Sequence, residues 1–157
     1  MASIFLSHSS KDEQIAEKFR NQLEQMNSKV YMFEHDQQPG TNVTSKLTKA
    51  IDDADMLFVL LTKQSGHSSY VHHEIGFAKK AGKQIVPFVE AGTDPSALGM
   101  LTGEEYLKFD PNNPDKSISD AQTYVYNHDI QKYVEGALIV FGVAALCLLL
   151  YFAYKNA

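Results

Sequence analysis

Five short apolar runs alternate with stretches whose apolar residues recur at helical spacing, and this alternation restricts the chain more than any other feature. Residues 4–7, 30–33, 56–62, 84–89 and 106–109 are rich in β-branched and aromatic residues, the composition of strands buried on both faces. Between the first two, Ile15, Phe19, Leu23 and Met26 recur at spacings of four, four and three; Val43, Leu47, Ala50 and Ile51 do the same after the second. Strands interleaved with amphipathic helices predict an α/β fold, a doubly wound five-stranded parallel sheet covered on both faces. Ligands of such sheets bind beyond the carboxyl ends of the strands, where the strand order reverses. Ser7, Phe33 and the loop 65–70 are therefore expected to converge.

Residues 68–78, Ser-Ser-Tyr-Val-His-His-Glu-Ile-Gly-Phe-Ala, read as a short helix. Tyr70 and Glu74 lie four apart and share a face, while Val71, Ile75 and Ala78 form a neighbouring apolar stripe that packs inward. One edge is left to present a carboxylate. Taken alone, a helical Glu is most often a solvated surface residue.

Five segments change that balance: Phe5-Leu-Ser-His-Ser-Ser-Lys-Asp12, Asp36-Gln-Gln-Pro-Gly40, Ala50-Ile-Asp-Asp-Ala-Asp55, the stretch around Glu74, and Ile85-Val-Pro-Phe88. In this order and spacing they resemble a Toll/interleukin-receptor (TIR) domain of the prokaryotic kind, over residues 3–110. The resemblance implies a flavodoxin-like fold and assembly through TIR–TIR contacts. In many members it also implies cleavage of NAD+, as substrate rather than cofactor, with a glutamate at the position of Glu74. Such cleavage suits a single carboxylate. Nicotinamide departs from a cationic pyridinium as a neutral molecule, so no general acid is needed, and the carboxylate stabilises the oxocarbenium-like ribosyl transition state. Glu74 is the expected catalytic residue. Phe33 and Tyr70 are expected to flank the substrate, and Ser7, His8 and Ser9, leading into a helix N-terminus, to offer donors to ribose or phosphate. Many members carry Trp where this chain has Tyr70; with no Trp at all, stacking falls to Tyr or Phe. Pro39-Gly40 is a turn dipeptide. The equivalent loop of the family reaches a neighbouring TIR domain, so Asp36, Pro39 and Gly40 are expected to serve assembly.

The other feature that constrains function is residues 136–154, nineteen positions without a charge. As a helix they extend about 28 Å, close to the ~30 Å hydrocarbon layer of a bilayer. Tyr133, Tyr151 and Tyr154 near the ends, with Glu135 and Lys155 bracketing, match an aromatic belt with polar stops. Lys116 and Lys132 precede the span and Lys155 follows it, a positive-inside bias toward a cytoplasmic TIR domain on a single-pass C-terminal anchor. No secretory signal is read at the N-terminus, where the apolar run is short and uncharged. The chain thus divides into a TIR core at 1–110, a turn-rich break and final helix at 111–133 with Ser117 or Ser119 as its cap, and a transmembrane helix at 134–155.

Other chemistries find little support. A formal charge of −5 with no basic run argues against nucleic acid. Cys147 is the sole cysteine, which rules out an intrachain disulfide framework. His67, His72, His73 and Glu74 lack the HExxH register, so no metal site is expected. Ser7-His8-Ser9 are adjacent residues rather than a triad, and Gly82-Lys83 precedes a strand where a phosphate loop follows one. Two functions remain: a membrane-tethered, assembly-dependent TIR NAD+ nucleosidase yielding ADP-ribose or a cyclic form, in prokaryotic anti-phage immunity or cell-death signalling; or a non-catalytic TIR adaptor that only binds other TIR domains at a membrane.

Overall fold

The computed structural model describes residues 1–33 and 42–155, with side chains as far as Tyr151. Asp36, Pro39 and Gly40 lie outside the described residues. Strand β1 (Ser3–Ser7) leads through a 3-10 turn (Ser10–Asp12) into α1 (Glu13–Glu24). Then follow β2 (Lys29–Tyr31), α2 (Val43–Asp53), β3 (Met56–Leu61), α3 (Ser69–Lys80), β4 (Gln84–Glu90), a 3-10 strap (Pro95–Leu101), β5 (Leu107–Phe109) and α4 (Asp115–Lys155). The strands pair parallel throughout, in the order β2-β1-β3-β4-β5. This is the doubly wound sheet expected, and its order reverses between β1 and β3.

Both faces of the sheet are covered, which is why the strands are apolar without alternation. All six residues of β3 are buried. Leu57, Val59 and Leu61 pack with Leu47 and Ile51 of α2 and Val71 and Ile75 of α3. Phe58 meets Phe88 edge-on at 5.4 Å, and Phe19 of α1 meets Phe88 at 5.2 Å and Phe109 at 5.9 Å. Edge-to-face rings at such separations add stability beyond the area they bury. Met26 and Val43, read as core-facing, are instead exposed, because Met26 lies past the end of α1 and Val43 opens α2.

Three strand ends differ from expectation for local reasons. β2 stops at Tyr31, leaving Phe33 in the connection to α2. β3 stops at Leu61, because the Thr62 amide donates to Ser65 Oγ at 3.1 Å and starts a turn. β5 begins at Leu107, after an exposed Tyr106. Helix α4 also starts earlier than either candidate cap. It begins at Asp115, directly after Pro114, whose carbonyl accepts from Ile118 N at 2.9 Å. Ser117 lies inside the helix and donates to the Lys108 carbonyl at 3.2 Å.

The chain separates into two units, Met1–Gln122 and Thr123–Ala157. The second is helical through Lys155, and its large apolar side chains, among them Leu138, Ile139, Phe141 and Leu149, are exposed. By length and composition this helix can cross a membrane, and none of its most apolar window is buried within the protein.

Candidate functional site

Ser7 ends β1 and Thr62 follows β3, so the carboxyl ends flanking the strand-order reversal carry polar residues where the strands themselves are apolar. Helix α3 leaves the β3 side of this crevice and carries Glu74 into it. Glu74 is 2% exposed, and the Ser7 hydroxyl donates to its Oε2. The helix edge expected to present a charge therefore presents it to the interior. An ionised carboxylate removed from water carries a penalty of several kcal/mol unless donors compensate, and the Ser7 hydroxyl is one such donor. Val71, Ile75 and Ala78, all fully buried, seat the helix in the orientation that aims Glu74 inward.

Tyr70, one turn earlier and more than a third exposed, meets Phe33 with ring centroids 5.7 Å apart at 45°. This aromatic pair joins the start of α3 to the connection leaving β2. His8 is buried, with Nδ1 3.4 Å from the Leu6 carbonyl. Ser9 also has a local part. Its hydroxyl accepts from Lys11 N at 3.4 Å and its carbonyl from Asp12 N at 2.8 Å, so it caps its own 3-10 turn. The chain thus joins Ser7 to Glu74 and Phe33 to Tyr70, and Ser9 caps the turn that follows.

A buried polar network beside the crevice was not anticipated. Asp12, 4% exposed, accepts from Thr62 Oγ1 at 3.0 Å. Thr62 Oγ1 in turn accepts from Ser65 Oγ at 2.8 Å and from Ser65 N at 3.2 Å. Lys11 Nζ donates to the Gln64 carbonyl at 3.2 Å. The β1–α1 and β3–α3 loops, which form two walls of the crevice, are thereby tied together. Two signals for this were present: Ser9 and Asp12 stand in capping-box spacing, and Thr62 and Ser65 are both hydroxyl residues three apart in a turn. Their union across the sheet has no local signature.

Of the histidines near Glu74, His67 and His73 are exposed, whereas His72 is half-buried and its Nε2 donates to the Gly66 carbonyl at 3.0 Å. Among the described residues no three His, Cys, Asp or Glu side chains stand together as a metal site.

Comparison with known proteins follows the same lines. The family described as TIR domain matches residues 4–122. No protein of curated function matches the chain. Solved structures share its fold at low identity. The TIR domains of the activated Roq1 resistosome, which recognises the pathogen effector XopQ, are 23% identical with a TM-score of 0.53, covering 66% of each chain. The Clostridium botulinum CMP N-glycosidase BcmB is 20% identical with a TM-score of 0.60, over 78% of this chain and 98% of its own. The TIR domain of the Toll-related receptor TRR-2 of Hydra magnipapillata is 15% identical with a TM-score of 0.62, over 83% and 99%.

Proposed function

The chain belongs to the TIR-domain family, and from that premise we propose that it is an NAD+ nucleosidase tethered to a membrane, with Glu74 as its catalytic residue. The observation that carries this reading is the burial of Glu74 at the strand-order reversal, held by the Ser7 hydroxyl. A domain that only binds other domains gains nothing from desolvating a carboxylate there.

In the proposed reaction the bond from ribose C1′ to the nicotinamide nitrogen breaks and its electron pair returns to the pyridinium ring, which leaves neutral. Positive charge develops on C1′ and the ring oxygen, and the Glu74 carboxylate stabilises it in a site that excludes water. Water then bonds to C1′ and releases a proton, giving ADP-ribose; attack by a group of the same molecule gives a cyclic product. Ser7 orients the carboxylate, and Phe33 and Tyr70 flank the substrate. The neighbour named as a CMP N-glycosidase supports the reading by analogy of fold. Cytosine leaves CMP as a neutral base that must gain a proton, a requirement nicotinamide does not impose.

Residues 1–110 form the catalytic TIR core in this reading, 111–133 the connection, and 134–155 a single-pass anchor that keeps the domain on the cytoplasmic side. Its exposed apolar side chains have no cover among the described residues, which favours lipid around them. Asp36, Pro39 and Gly40 serve TIR–TIR assembly, and the setting is prokaryotic anti-phage immunity or cell-death signalling.

The test is the full chain on liposomes, incubated with NAD+ and analysed for nicotinamide and ADP-ribosyl products. Wild type is expected to release nicotinamide and Glu74→Gln to release none, with assembly intact in both. Equal turnover by the two overturns the role of Glu74. Assembly without turnover in wild type leaves the adaptor reading.

A further inference from the structure

Ser3 and Lys29 are register partners at the N-terminal ends of β1 and β2. Ser7, which holds Glu74, lies four residues further along β1, about 13 Å at the rise of a strand. From this end of the sheet a groove of about 350 Å³ runs between β1, β2 and α2 as far as Tyr31, the last residue of β2. Sites for small ligands occupy roughly 300–1,000 Å³. Ile4 and Ala50 line it with apolar surface, and Tyr31, half-buried and tilted against Phe5 at a centroid distance of 5.4 Å, supplies an aromatic wall.

The charges around the groove run against those of the chain. Among the described residues Lys29, Lys46 and Lys49 line it with a single carboxylate, Asp53, while the whole protein has a formal charge of −5. Lys49 bonds Asp53 at 2.6 Å. That hydrogen bond and the Lys49 charge hold the Asp53 carboxyl below its ordinary range, and Lys29 and Lys83 add to the effect. Lysines often gather at helix C-termini because the dipole favours them there. Lys83 fits that account, donating to the Asp52 and Ala54 carbonyls at 2.6 and 2.8 Å. Lys46 and Lys49 do not, since the last turn of α2 contains no basic residue, and Lys29 comes from a different element.

From this juxtaposition of cations, aromatic wall and apolar surface we propose that the groove binds a nucleoside phosphate, at a site distinct from that of Glu74. The phosphate lies among Lys29, Lys46 and Lys49, and the base lies against Tyr31 and the apolar surface. Both halves of the ligand are required. A bare anion finds only the ammonium groups, those of Lys29 and Lys49 on exposed side chains, and a nucleoside lacks the charge that the lysines attract.

The experiment uses the full chain in lipid nanodiscs, carrying Glu74→Gln so that nothing is consumed, and measures calorimetric binding of AMP, adenosine and inorganic phosphate. AMP is expected to bind with Kd below about 1 mM, and adenosine and phosphate at least about tenfold more weakly. Lys29→Gln with Lys46→Gln, and separately Tyr31→Leu, should each weaken AMP by about tenfold or more, while Lys80→Gln on α3 leaves it unchanged. Unfolding temperatures confirm that each variant is folded. AMP binding indifferent to the groove variants, phosphate binding as well as AMP, or no AMP binding at all overturns the proposal. Because turnover is not read, the result is independent of whether the chain cleaves NAD+.

Discussion

Ser7 is where the chemistry of Glu74 can be separated from its mere presence. Ser7→Ala removes the hydroxyl that donates to Oε2 and leaves a buried carboxylate short of a donor, a loss of about 1–3 kcal/mol. If the hydroxyl orients the carboxylate for catalysis, kcat should fall by about tenfold or more with KM little changed, and Ser7→Thr should recover most of it. A rise in KM at unchanged kcat would assign Ser7 to substrate binding. Glu74→Gln should fold at least as well as wild type in urea titration, because its amide oxygen still accepts from Ser7 and an uncharged group carries less desolvation penalty. The i, i+4 pairing with Tyr70 was legible within one helix. Burial was not, since the helix meets a serine 67 residues away at the end of a strand.

Elements place the crevice as much as residues do, and the strap Pro95–Leu101 is the clearest case. A Cβ on Gly66 would lie 2.6 Å from the Ala97 Cβ of the strap and 3.2 Å from the Thr62 carbonyl oxygen. One on Gly99, whose φ is +51°, would meet His72 Cε1 at 3.0 Å. Lys79 of α3 bonds Glu104 at 3.0 Å. The strap is thus pressed onto the helix that carries Glu74 and onto the loop before it. Gly66→Ala is expected to destabilise the fold by about 1–3 kcal/mol through overpacking, read as a lower denaturation midpoint with unchanged slope. An unshifted midpoint would show that the strap yields freely. The five strands were legible because burial on both faces leaves a compositional mark. The strap has none: residues 91–106 show no periodicity, and their contacts with α3 are made across the fold. Pro114, rather than Ser117 or Ser119, marks the start of α4, where its fixed φ suits the entry to a helix.

At the scale of the molecule, the apolar run was the most legible feature of all, since length and composition alone reveal it, and the structure keeps it helical and, among the described residues, uncovered. If the helix anchors the chain as proposed, its role is to concentrate the domain. Holding TIR domains on one membrane raises their effective concentration, which can amplify a weak domain–domain contact by ~10²-fold without any new interface. A chain ending at Lys132 keeps the sheet and the buried start of α4, including Ile118 and Ala121, so its fold should survive the truncation. In dilute solution it should be monomeric by light scattering and release little nicotinamide from NAD+. Fusion to an unrelated oligomer, or crowding, should restore release toward that of the full chain on liposomes. Charge reversal at Asp36 should blunt this restoration if the loop joins neighbouring domains, and leave the monomer unaltered. A dilute truncated monomer that matched the membrane-bound chain would reduce the helix to an address, because activity would then owe nothing to proximity.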